Sequence, residues 1–197
     1  MRPCRYRDAG QAFPIYITVV GGLLFLAFAY FAVGQAAVNR NGAQTAADAA
    51  ALAAAQDTRD QLAGAWVENV LDPNKWQDIF NGGMPGDSCW RAYQLAAQND
   101  ASGQGCRRTG PLRYEVEVQA NEPVGDSIVP GTETQRSQAS AAAVIEPRCT
   151  FELPTEGGGD DVLPELECED GNNWELSPDD LTILPKPEDL FDVHLAD

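Results

Sequence analysis

Residues 13–56 read FPIYITVVGGLLFLAFAYFAVGQAAVNRNGAQTAADAAALAAAQ, and the fold follows from how that stretch divides. No charged side chain occurs between Asp8 and Arg40. As a helix, the apolar run at residues 13–38 spans about 39 Å, at about 1.5 Å per residue. A hydrocarbon core of about 30 Å needs only about 20 residues, so the run is long enough to cross a bilayer with tilt or overhang. Pro14 falls in the first turn, where its missing N–H costs little. Tyr16 and Tyr30 are spaced to sit toward the two interfaces. Gly21 and Gly22, near mid-span, permit a bend or a close helix contact. A signal-peptide apolar region is shorter, about 7–15 residues. Small residues near Gly34 and Ala36 nevertheless leave a secreted form with a cleaved leader as an alternative.

Outward from this run, residues 1–12 form a basic stub with Arg2, Arg5 and Arg7 against Asp8. That arginine excess predicts a cytoplasmic N-terminus and an extracytoplasmic C-terminal part. On the other side, residues 39–72 read as an alanine-rich helix of high intrinsic propensity. Gln44, Asp48 and Leu52 fall at four-residue steps on one face, with Ala47, Ala51 and Ala55 beside them. Alanine contributes little burial energy but allows two backbones to come close, so this face is expected to pack on other helices. Leu62, Trp66, Val70 and Leu71 give the helix end a heavier apolar side. Asp72-Pro73 closes it or opens a new turn.

Arg7-Asp8-x-Gly10-Gln11, the apolar run, and then Gln44-Thr-Ala-Ala-Asp48-Ala-Ala-Ala-Leu52 together resemble the N-terminal module of the TadE/TadG-like proteins of bacterial tight-adherence (Flp-type) pilus assembly. Arg7 and Gly10 approximate the family's R-G pair, while Gln44, Ala47, Asp48, Ala51 and Leu52 match its second motif. The resemblance covers residues 7–55. It implies a single-pass protein of the bacterial cell membrane whose partners are other pilus-assembly or pilin-like membrane proteins, or further copies of itself. Pseudopilins cleaved by prepilin peptidase carry a glutamate five residues after the processing glycine. Counted from Gly10, that position is Ile15, and no acid precedes Gly34 near the outer helix end. An anchored, TadG-like protein is therefore expected rather than a processed pilin.

The chain has 197 residues and a formal net charge of −17. Such acidity repels phosphate backbones and argues against nucleic-acid binding; it suits solubility in an exposed location. Beyond the anchor there remain enough residues for one modest domain. Cys89, Cys106, Cys149 and Cys168 all follow the span, whereas Cys4 precedes it. Four cysteines in an oxidising compartment allow two disulfides in three pairings. Cys89–Cys106 and Cys149–Cys168 are favoured because each closes a short local loop. Zinc is the competing use, but there is no C-x-x-C pair and the single histidine, His194, is near the end.

Residues 73–151 read as a small α+β domain. A short helix over residues 73–80 ends at Asn81-Gly82-Gly83, and a second helix over residues 89–98 is capped by Asp87 or Ser88. Residues 112–120 alternate apolar and polar, the clearest strand pattern in the chain. Residues 134–145 read as a second strand, with Ala139, Ala141, Ala143 and Ile145 on one face. The two strands are expected to pair antiparallel against the helices. Residues 152–197 carry Gly157-Gly158-Gly159, five prolines and many acids, a composition that suggests an extended acidic tail. Phe191, Val193 and Leu195 alternate there and suggest a final strand. Asp170-Gly171-Asn172-Asn173 lacks the spacing of a calcium loop.

No nucleophile elbow, phosphate loop, metalloprotease helix or dinucleotide fingerprint occurs, so neither enzymatic activity nor a cofactor is expected. The sequence thus points to a membrane-anchored envelope component that assembles through its helix. A surface-anchored binding module using its acidic tail is the alternative.

Overall fold

The structure, a computed structural model, describes residues 12–83, 85–123, 134–153 and 163–196. The basic stub with Arg2, Arg5, Arg7 and Gly10, and the Gly157-Gly158-Gly159 run, lie outside them. Helix α1 runs unbroken over Ala12–Glu68, 57 residues, or about 85 Å of axis at about 1.5 Å per residue. Anchor and alanine-rich segment are therefore one rod. It stops four residues short of the expected end at position 72. Asn69 turns its side-chain amide back onto the Ala65 carbonyl at 2.8 Å, and Pro73 disfavours helical backbone at Asp72. Trp76 Nε1 donates to the Asn69 carbonyl at 3.1 Å, so the freed acceptors at this helix end find partners.

After a 3₁₀ turn at Pro73–Lys75, α2 covers Trp76–Phe80 and α3 covers Cys89–Gln98. The N-terminal turn of α3 is tied by the Asp87 side chain, which accepts the Cys89 N–H at 2.9 Å, whereas Ser88 makes no capping bond. Four strands follow in one antiparallel sheet: β1 (Ala101–Gly110), β2 (Arg113–Pro123), β3 (Arg136–Pro147) and β7 (Phe191–Leu195), in the order β1-β2-β3-β7. The alternation expected in β2 holds: Tyr114, Val116 and Val118 are fully buried, while Glu115 and Glu117 face the other way. On β1, Arg107 answers Glu115 directly across the ladder, with an ion pair at 2.7 Å. The side-chain hydrogen bond to Glu115, and then that carboxylate's charge, hold the Arg107 guanidinium above its ordinary value.

Strand β1 went unforeseen, because its sequence ASGQGCRRTG reads as a glycine-rich loop. The fold uses that lack of side chains. The Tyr93 ring of α3 lies where a Cβ on Gly103 would stand, and the ladder bulges between Gly103 and Gly105. A second sheet joins β4 (Cys149–Phe151), β5 (Leu166–Cys168) and β6 (Asn173–Trp174). The described part of the expected acidic tail is thus not extended: residues 163–196 supply β5, β6, the short helix α4 (Pro187–Leu190) and β7. Three fully buried side chains anchor it, Leu166, Leu190 and Phe191. An aromatic cluster joins these pieces to the end of α1, running Trp66–Trp76 at 5.4 Å, Trp76–Phe151 at 5.3 Å and Phe80–Phe191 at 5.1 Å between ring centroids.

Candidate functional site at the helix–sheet junction

Helix α1 changes character along its length. Phe13, Ile15, Leu23, Phe25, Leu26, Phe28 and Phe31 are each exposed by more than half, and the helix is long and apolar enough to cross a membrane. From Ala43 onward one face closes completely: Ala46, Ala47, Ala50, Ala51, Ala54 and Ala55 have no exposed surface. Within the chain, α1 packs chiefly against β3 and helix α3, and then β2. The face expected to pack on other helices is covered within this chain by both helix and sheet. Alanine's short side chain permits a close backbone approach whether the neighbour is a helix or a sheet, and the chain supplies both itself.

The motif residues sit at this junction. Gln44 Nε2 donates to Asp48 Oδ1 at 2.8 Å and, at a longer 3.4 Å, to the Ser140 carbonyl of β3. The Gln/Asp pair therefore links successive helical turns and leans on the sheet, while Leu52 packs partly buried at the core's margin. One turn nearer the apolar half, Asn39 Nδ2 donates to the Pro123 carbonyl at the end of β2, at 3.0 Å. Below that bond, Tyr30, Phe31, Gly34 and Val38 form the wall of a groove of about 730 Å³, closed at its upper end by Gln35, Asn39, Glu122 and Pro123.

Further out, a buried polar chain fastens the helix. Thr58 and Ser88 have no exposed surface, and their hydroxyls lie 2.7 Å apart. Thr58 Oγ1 donates to the Tyr114 hydroxyl of β2 at 2.9 Å. Gln61 Nε2 donates to Ser88 Oγ at 3.2 Å and to Asp57 Oδ2 at 2.8 Å, and Gln61 Oε1 accepts the Gly86 N–H at 2.7 Å. Each polar group finds a partner, as burial requires. Sequence reasoning missed this chain, although a signal was present: Thr58 is the polar member of the stripe Ala47, Ala51, Ala54, Thr58, Leu62 and Trp66.

Both favoured disulfides are formed, Cys89–Cys106 from α3 to β1 and Cys149–Cys168 between register partners of β4 and β5. Cys106 stands opposite Val116 in the ladder, so the first bond clamps α3 to the same sheet face that α1 covers. His194 lies between Asp192 at 3.0 Å and Glu146 at 3.9 Å on a partly exposed edge. Among the described residues, no three His, Cys, Asp or Glu side chains are grouped to hold a metal ion.

These features define a class: an α+β domain carried on a membrane-length helix that the domain's own sheet grips. Residues 10–57, about a quarter of the chain, are similar to the family model described as "Putative Flp pilus-assembly TadE/G-like". The match ends within α1, so the sheet domain lies outside it. No curated protein and no solved structure matches the chain.

Proposed function

We propose that the protein is a permanently anchored, non-enzymatic component of a bacterial pilus-assembly apparatus, pseudopilin-like in having an N-terminal helix that enters a small sheet domain. Residues 1–12 lie in the cytoplasm, the apolar half of α1 crosses the cell membrane, and the acidic, disulfide-linked domain stands outside. The arginine excess at the N-terminus and the use of four cysteines in disulfides support that orientation. One observation carries the assembly role: the alanine face of α1 is already buried within the chain by β3, α3 and β2, whereas the large apolar side chains of residues 13–38 remain exposed. Lateral contacts with other pilus-assembly or pilin-like helices, or with further copies, therefore fall to the apolar half.

Single-cysteine crosslinking in intact membranes, in a Cys4→Ser background, tests this reading. Leu24→Cys is expected to give oligomers or adducts with a second membrane protein, and Ala51→Cys none. Monomers from every position along residues 13–38, or adducts from Ala51 alone, would overturn it.

A further inference from the structure

The groove beneath the Asn39–Pro123 hydrogen bond straddles two environments. Taking Phe13 as the first residue in the hydrocarbon, about 20 residues cross its roughly 30 Å, which brings the boundary near Ala32. Tyr30 and Phe31 then border the acyl region, while Gln35, Val38, Asn39 and Glu122 rise into the headgroup layer. Residues 27, 31, 34 and 38 share one helical face, and the end of β2 overhangs it at Glu122 and Pro123. The groove is thus apolar at its lower end and polar at its upper end. Its about 730 Å³ falls within the roughly 300–1,000 Å³ typical of small-molecule sites. Among the described residues, its one charged lining residue is an acid, Glu122.

We propose that this groove holds a membrane phospholipid whose headgroup bears a primary ammonium. The acyl chain lies along Phe31 and Val38, and the ammonium meets Glu122. Phosphatidylethanolamine has that chemistry; phosphatidylglycerol, whose headgroup has no cation, would place a phosphate near the carboxylate instead. The inference rests on α1 crossing a membrane, as proposed above.

The test uses the full chain in phosphatidylcholine nanodiscs containing a photoreactive-acyl probe lipid with an ethanolamine, glycerol or choline headgroup. Labelled residues are located by mass spectrometry. Ethanolamine lipid is expected to label residues 27–38 about fivefold more than glycerol lipid, the ratio set by an interfacial charge contact of about 1 kcal/mol. Glu122→Gln should remove that preference. Gly34→Trp fills the groove from a position where an added Cβ meets no neighbour within 4 Å. It should suppress labelling there and leave labelling at Phe25, on the opposite helical face, unchanged. Equal labelling by the three headgroups, a preference that survives Glu122→Gln, or crosslinks to a second polypeptide in place of lipid would each overturn the lipid site. If the protein does not insert and Phe25 is unlabelled as well, the membrane reading falls, and the site with it.

Discussion

Ala50→Leu is the substitution that bears most directly on how α1 is used. Ala50 has no exposed surface, and neither do Ala46, Ala47, Ala51, Ala54 and Ala55 around it. Three added carbons have no void to enter, so the helix must move away from the sheet or the new side chain must adopt a strained rotamer. Overpacking of this kind costs about 1–3 kcal/mol. For a folded unit of this size, each kcal/mol lowers the unfolding midpoint by roughly 3–5 °C. The isolated, detergent-solubilised chain should therefore unfold about 3–15 °C lower than wild type, followed by the fluorescence of the buried Trp66 and Trp76. Ala37→Leu, on the uncovered part of α1, should leave the midpoint unchanged. If Ala50→Leu is also silent in the isolated chain and harmful only in assembled membranes, the alanine face is an intermolecular surface and the intramolecular packing described above is wrong.

Three further outcomes are expected. Thr58→Val leaves the Ser88 and Tyr114 hydroxyls buried with a partner missing, which costs about 1–3 kcal/mol; Thr58→Ser, which keeps the hydroxyl, should recover most of that in denaturant unfolding. Reduction should destabilise the domain by about 2–4 kcal/mol per bond, and non-reducing peptide mapping should return only the pairs Cys89–Cys106 and Cys149–Cys168. Bonds from the Thr182 side chain and then its backbone N–H hold the exposed Asp180 carboxyl below its ordinary value. A lowered folded value means that its stabilising effect is present above the ordinary carboxylate range and is lost as pH falls through the lowered value. NMR titration should show Asp180 moving back up in Thr182→Ala; an unchanged titration would remove Thr182 as the cause.

Much of this architecture is legible in the sequence where one physical signal dominates. The uncharged run between Asp8 and Arg40 marks the apolar half of α1, and strict alternation at Tyr114, Val116 and Val118 marks β2. The local cysteine spacing indicates the pairing that forms. Elsewhere the signals are degenerate. An alanine face suits a helix neighbour and a sheet neighbour equally, so Ala47 and Ala51 identify a close contact without identifying what makes it. Strand β1 has almost no apolar side chains; its place depends on the Cys106 bond and on Tyr93 covering Gly103, both contacts with α3 that composition does not register. Residues 163–196 pack through Leu166, Leu190 and Phe191 within a strongly acidic background, and composition averages such isolated anchors away. The groove under Asn39 exists only because the end of β2 returns to the helix, a closure of 84 positions in sequence.

Anchoring, orientation and the lipid groove all depend on α1 being retained in the mature protein. Intact-mass measurement and N-terminal sequencing of the protein from alkaline-carbonate-washed membranes test this directly. A retained anchor gives a membrane-bound chain that still contains residues 13–38. A mature chain beginning near residue 36 and recovered in the soluble fraction would contradict it.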